Sequence, residues 1–278
     1  MNPTQTQIKN FQKTIKSWYK THKRDLPWRN TTEPYHILVS EIMLQQTQVS
    51  RVLVKYPEFL KAFPTIQTLA SAKDSTLLKT WNGLGYWRRA KYLKETAKII
   101  TKTYNNEFPH DTKTLQTLPG IGHYTAGAVS CFAFNTRTAF MDTNIKRVYL
   151  HFFFPNKKEI SDKELLQIAQ QALPQKDCKN WHYALFDYGA SVLKNTNINK
   201  QSKSYRKQNK FKGSFRSFRA KTLKHLLAEP NQKTSKAKLL DFIEDALRQE
   251  EADYSSQEIL DSLIKDKLVK TKGNSLYL

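Results

Sequence analysis

Through the first two hundred residues, apolar positions recur three and four apart, the spacing of amphipathic helices. The pattern predicts helices over Ile8–Tyr19, Tyr35–Val54, Leu77–Leu84, Arg89–Tyr104, Tyr124–Ala133, Asn144–Phe153, Asp162–Ala172 and Trp181–Leu193. Pro27, Pro34, Pro64, Gly83, Gly85, Pro109, Pro119, Gly120 and Gly122 punctuate them. No clear alternating strand run breaks this region. Near the C-terminus the pattern shortens. Leucines at 223, 226 and 227 mark one helix, Leu239, Leu240, Ile243 and Leu247 a second, and Ile259, Leu260, Leu263 and Ile264 a third. Leu268-Val269-Lys270-Thr271 and Ser275-Leu276-Tyr277-Leu278 then flank Lys272-Gly273-Asn274, a hairpin signal. The expected fold is mainly α, with a small winged-helix-like domain at 217–278.

Charge adds a polyanion to this picture. The 278 residues carry 46 Lys and Arg against 24 Asp and Glu, a formal net charge of +22. Such a surface suits nucleic acid or an acidic membrane face. The excess is concentrated in residues 1–200 and in 201–228, where nine basic residues occur with no acid; the tail beyond is slightly acidic. Phe211, Phe215 and Phe218 interleave the basic stretch, which favours a phosphate-contacting arm over a solvated linker. The apolar fraction of 39% excludes a disordered chain. Cys131 and Cys178 are too few for a disulfide framework or a four-thiolate metal site. No run approaches the about 18 uncharged apolar residues of a spanning helix, and the polar start, Met1 to Phe11, is not a signal peptide. A cytoplasmic, nucleoid-associated protein with no membrane partner is expected.

Two segments carry candidate chemistry. Leu118-Pro119-Gly120-Ile121-Gly122-His123 precedes a helix, so Gly120 and Gly122 permit a tight turn and leave helix N-terminal amides for a DNA phosphate. Asp142 follows an apolar run and precedes Asn144, the position of an N-cap whose carboxylate the first amides hold ionised. Glu41 lies upstream, with Gln45 and Gln48 placed by helical spacing on its face. With Gln46 these give three glutamines in four residues, amides suited to base edges, although a solvated polar stripe has the same pattern. A Glu among apolar neighbours can act as a general acid. One protonated and one ionised carboxylate suit cleavage of a glycosidic bond, which in DNA also requires the base to leave the stack.

Five segments taken together resemble a known family. Leu26-Pro27-Trp28-Arg29, Ser40-Glu41-Ile42-Met43-Leu44-Gln45-Gln46-Thr47-Gln48-Val49, Gly83-Leu84-Gly85-Tyr86, Leu118 to Ala128 and Asp142-Thr143-Asn144-Ile145-Lys146-Arg147-Val148 are similar, in order, to the adenine DNA glycosylases of the MutY family, within the helix-hairpin-helix superfamily. The resemblance runs over residues 10–195. It implies a two-lobed helix-hairpin-helix glycosylase fold at 1–200, double-stranded DNA with an adenine mispair as partner, and excision of adenine opposite 8-oxoguanine or guanine. It assigns Glu41 as general acid, Asp142 as stabiliser of the sugar cation and Asn144 as the residue orienting Asp142. Tyr124 and Arg29 match residues beside the extruded adenine; Gln46, Leu84 and Tyr86 match wedges into the duplex. Strand-cleaving members of the superfamily carry a nucleophilic Lys at the position of Tyr124, so a monofunctional, monomeric enzyme is expected.

The chain departs from the family at three points. Members bind a [4Fe–4S] cluster through C-x6-C-x2-C-x5-C; that spacing falls here on Leu193, Lys200, Lys203 and Asn209, so no cluster and no other cofactor is expected. A basic linker is expected at 201–216, and the basic segment 201–224 is expected to supply the docking surface instead. The family's usual C-terminal domain is longer than 217–278 and richer in strands. Thr143 stands where the family usually has Gly. Two other functions fit less of the pattern. A T:G mismatch glycosylase would share the hairpin and Asp142, and a catalytically idle DNA-binding protein would have no need for both carboxylates.

Overall fold

The structure, a computed structural model, describes residues 3–207 and 210–278. Asn209, one of the positions picked out by the cluster spacing, lies outside them. In chain order the helices are α1 Gln5–His22, α2 Pro34–Leu44, α3 Val49–Ala62, α4 Ile66–Ser71, α5 Asp74–Trp81, α6 Arg88–Thr103, α7 Thr112–Gln116, α8 His123–Phe134, α9 Thr143–Phe153, α10 Asp162–Ala172 and α11 Cys178–Ser191. They continue with α12 Phe215–Ala228, α13 Lys236–Gln249 and α14 Ser256–Lys265, and three short strands complete the chain: β1 Lys233–Ser235, β2 Lys270–Lys272 and β3 Ser275–Tyr277. Among the described residues, no helix is long and apolar enough to cross a membrane.

The chain forms two compact units. The first holds Met1–Glu41 and Pro109–Lys207. Its α1 starts at a capping box in which Thr4 and Gln7 satisfy each other's amides, and it buries Ile8, Phe11 and Ile15 along one stripe. The Phe11 ring packs 5.3 Å from Trp181 and 5.1 Å from Phe153, tying α1 to α11 and α9. Residues 201–204, expected to belong to a basic arm, are fastened to this unit. Ile160 N–H donates to the Gln201 carbonyl, Lys203 N–H to the Ile160 carbonyl, and Ser204 Oγ to Asp162.

The second unit holds Ile42–Phe108 and Gln208–Leu278. Phe59 and Trp81 meet edge to face at 5.8 Å, and α4 packs on α6. The C-terminal helices join the same unit through α12, which packs on α5, α13 and α14. Asp74 in α5 fixes the junction: Lys91 and Lys94 of α6 and Lys270 of β2 all reach it, at 2.9, 2.6 and 2.5 Å. The expected hairpin is present, with β2 antiparallel to β3. A further strand, β1, pairs on the other side of β3, giving the order β1-β3-β2. The tripeptide Lys233-Thr234-Ser235 is too short and too polar for alternation to betray it.

One predicted helix is two. The expected run 35–54 stops at Leu44 and restarts at Val49, so Gln45 and Gln48 do not continue the helical face of Glu41. No Pro or Gly marks the break. Its cause is Arg89, buried in α6, whose Nη1 takes the carbonyls of Ile42 and Met43 at 2.6 and 2.9 Å. In a continuing helix those carbonyls would accept from residues 46 and 47. Gln46 instead turns to a φ of +53°.

Candidate active site

The first unit gathers Arg29, Glu41, Tyr124, Asp142 and Asn144. Glu41, on α2, is buried at 4% exposure. Tyr124 Oη, from the first turn of α8, donates to its Oε2 at 2.7 Å. Burial raises the Glu41 carboxyl to about 7, and the charge of Asp142 adds to the rise, while the Tyr124 hydrogen bond and Arg29 pull the other way. Near neutral pH a large share of this group is protonated, in a place where a proton can be delivered. The Tyr124 phenol is pushed well above its usual range by the same burial and by Glu41, so it stays a donor.

Asp142 caps α9 as expected. Its Oδ1 accepts from the amides of Asn144 and Ile145 at 2.9 and 2.7 Å, and its Oδ2 from Asn144 Nδ2 at 2.9 Å. These amides alone would lower its pKa. Burial outweighs them, and the carboxyl sits above its ordinary value rather than below. Asp142 accepts from three donors where the Glu41 carboxyl accepts from the Tyr124 hydroxyl, which favours the charged form at Asp142 more than at Glu41. Thr143 is the first residue of α9 and needs no positive φ, so the family's Gly is dispensable at that position.

The helix-hairpin-helix turn is formed as the sequence predicts. Gly120 takes a φ of +76°, the Ile121 amide closes on the Leu118 carbonyl at 3.2 Å, and Gly122 is the N-cap of α8. No side chain caps α8, and Gly122 and His123 are exposed, so its first amides face outward. The remaining expected residues, Gln45, Gln46, Gln48, Leu84 and Tyr86, belong to the second unit, where together they line one groove.

Three residues that build these sites carried no sequence signal strong enough to single them out. Asp187 on α11, fully buried, accepts from both terminal nitrogens of Arg29 at 2.8 and 2.7 Å, and from the Arg24 amide and Nε at 3.1 and 2.6 Å. It locks the Arg29 guanidinium 4.5 Å over the Tyr183 ring. An acid amid the aromatic face of α11 was its only mark. Gly189 lets α11 approach α9, since a Cβ there would stand 2.3 Å from the Asn144 carbonyl oxygen. Gly127 does the same for Phe140, whose Cβ would lie 2.7 Å from an added methyl.

The two cysteines meet. Cys131 Sγ donates to Cys178 Sγ at 3.1 Å, and His182 Nδ1 lies 3.5 Å from Cys178, all three buried. That hydrogen bond pushes the Cys131 thiol up and brings Cys178 down. The Nδ1 also reaches the Cys178 carbonyl at 2.9 Å, and the imidazole stacks on Phe140. Two thiols and one imidazole do not fit a cluster that needs four ligands, and the chain has no third cysteine.

Residues 39–175 match the model of the HhH-GPD superfamily of base excision DNA repair proteins. Over that segment the chain is similar to members of that superfamily. Among curated relatives, the adenine DNA glycosylase of Buchnera aphidicola is 38% identical over 189 residues, covering 67% of this chain and 54% of that protein. That of Mycobacterium tuberculosis is 47% identical over 133 residues, 48% of this chain and 44% of the other. The chain thus spans about half the length of these relatives. Among solved structures, a thermostable thymine-DNA glycosylase superposes with a TM-score of 0.62 at 28% identity, covering 70% of this chain and 95% of that one.

Proposed function

We propose that the chain is a monofunctional adenine DNA glycosylase of base excision repair, hydrolysing the N-glycosidic bond of adenine opposite 8-oxoguanine or guanine. One observation carries the reading: a buried Glu41 held by Tyr124 in the same site as an N-capping Asp142, with burial raising the Glu41 carboxyl into the neutral range. Glu41 gives its proton to the departing base, which weakens the bond to the sugar. As that bond breaks, the anomeric carbon becomes oxocarbenium-like, and the Asp142 carboxylate, held by Asn144, stabilises the cation until water adds. Arg29, fixed by Asp187, forms a rigid wall for the base. Tyr124 offers no amine for a Schiff base, so strand cleavage does not follow.

The names of the curated relatives support adenine as the base. Double-stranded DNA is the partner, bound through the outward amides of α8 and the basic surface, and the protein acts as a monomer. The two thiols cannot hold an iron–sulfur cluster, so the enzyme works without one. Residues 1–200 are read as the glycosylase domain, 201–216 as a basic linker and 217–278 as a winged-helix-like domain, the last supported by its three helices and three-stranded sheet. A cytoplasmic, nucleoid-associated location follows from this role.

The structural likeness to a thymine-DNA glycosylase favours one other reading, excision of thymine from T:G. A single assay separates them. Purified protein is incubated with duplexes carrying A:8-oxoguanine, A:G or T:G, and abasic sites are cleaved with alkali. Adenine release that is lost in Asp142→Asn is expected. Thymine release would replace the adenine reading, and no release from any duplex would leave a DNA-binding protein without catalysis.

A further inference from the structure

Two thiols and an imidazole meet between α8 and α11, and the chemistry of Glu41 and Asp142 uses none of them. Cys131 stands near the end of α8, while Cys178 and His182 open α11, four residues apart and so on one face of it. The cysteines lie 47 residues apart in sequence, and no local pattern joins the histidine to them. The fold does. Their Sγ atoms are 3.1 Å apart, and His182 Nδ1 lies 3.5 Å from Cys178 Sγ and 3.8 Å from Cys131 Sγ. A triangle with these edges has its equidistant point about 2.0 Å from every corner, against bonds of about 2.3 Å from zinc to thiolate and about 2.0–2.1 Å to imidazole. A zinc ion just out of that plane reaches all three donors. A tetrahedral angle between the thiolates asks the sulfurs to part by about 0.6 Å. Loss of the S–H proton that bridges them permits that movement.

Charge selects the metal. Cys131, Cys178 and His182 are 0, 4 and 2% exposed, so a bound ion must leave no net charge behind. Two thiolates and a neutral imidazole balance a divalent cation, whereas a monovalent one would leave a buried negative charge. Sulfur and imidazole donors favour zinc over magnesium or calcium, which take oxygen. His182 Nδ1 also meets the Cys178 carbonyl at 2.9 Å, so ligation requires the tautomer protonated at Nε2 and gives up that one hydrogen bond. The ring itself is already oriented, stacked on Phe140 with 3.9 Å between centroids.

We propose that Cys131, Cys178 and His182 bind one zinc ion that staples α8 to α11. On binding, the two thiols release their protons to solvent and both sulfurs become ligands. With all three ligands buried, the ion's role is structural. It joins the helix of Tyr124, which donates to Glu41, to the helix of Asp187, which fixes Arg29. Phe140 carries the link inward, since its ring also meets Tyr124 at 5.7 Å. The site does not depend on which base the enzyme removes.

The test measures metal directly. Full-length protein is reconstituted with zinc under reducing conditions, desalted and assayed by plasma mass spectrometry. About one zinc per chain is expected in wild type, and about a tenth of that or less in Cys131→Ser and Cys178→Ser. Cobalt in place of zinc should give thiolate-to-metal charge-transfer absorption, which an ion held by surface carboxylates lacks. Free zinc at about 100 times its dissociation constant should raise the folded-to-unfolded ratio in urea about 100-fold. If a serine variant does not fold, the wild-type cobalt spectrum decides alone. Wild type that retains no stoichiometric zinc, or binds cobalt without charge transfer, overturns the proposal. So does zinc kept unchanged by both folded serine variants, which would place it elsewhere. A Cys131–Cys178 disulfide that persists in reductant and keeps zinc out overturns it as well.

Discussion

Two buried carboxylates in the first unit have opposite fates. Glu41 is raised to about 7, whereas Asp187, equally shielded from water, is held below the ordinary carboxylate range. Burial acts on both in the same direction; their partners decide the outcome. Glu41 receives a hydrogen bond from a neutral phenol and feels a second carboxylate. Asp187 receives the forked guanidinium of Arg29 and a further bond from Arg24. A buried acid beside a neutral donor becomes a proton carrier, and one inside a cationic fork becomes a strut.

The contrast can be broken most severely at Glu41. Glu41→Gln keeps the shape and removes the proton, so single-turnover adenine release should fall by about 10²–10⁴-fold. Urea denaturation should find it folded. Because the folded state holds this proton more tightly than the unfolded chain does, the wild-type contribution to stability is complete at low pH and lost as pH rises from 4.5 through about 7. The glutamine variant should therefore lose less stability than wild type over that interval. Release within about tenfold of wild type would remove Glu41 from the chemistry.

Asp187→Asn should show the reverse balance. It strands Arg29 and Arg24, and unfolding in urea should register a loss of about 3–5 kcal/mol. Its pH dependence is opposite in sign: the stability supplied by Asp187 is present above the ordinary carboxylate pKa and disappears on acidification. A change below about 1 kcal/mol would show that the fork adds little to stability. The mildest change sharpens the comparison. Tyr124→Phe removes the donor that lowers Glu41, so the alkaline limb of the pH–rate profile, expected near 7, should move upward. A downward or absent shift would mean that the limb belongs to another group.

Much of this was legible in the sequence. Apolar spacing located α6 and α8 to α11 within a few residues, Asp142 announced itself as a cap, and the Gly120–Gly122 turn was readable from its glycines. What escaped depends on partners far along the chain. The break after Leu44 has no local breaker because Arg89, 46 residues beyond Met43, captures the carbonyls that would have continued the helix. Asp187 meets Arg29 across 158 residues, a pairing that no periodicity encodes. The Asp142 pKa went astray for the same reason: capping amides are local and visible, whereas burial is a property of the assembled unit.

The close approach at Gly189 has a consequence for redesign. Asp142 is placed by main chain against main chain, with the first turn of α9 resting on a helix that has room there for a hydrogen and nothing larger. Rotamer choice cannot retune such a contact. Libraries seeking activity on a different base can vary the neighbouring side chains other than Glu41, Tyr124 and Asn144, but position 189 is a fixed point at which any side chain displaces the carboxylate.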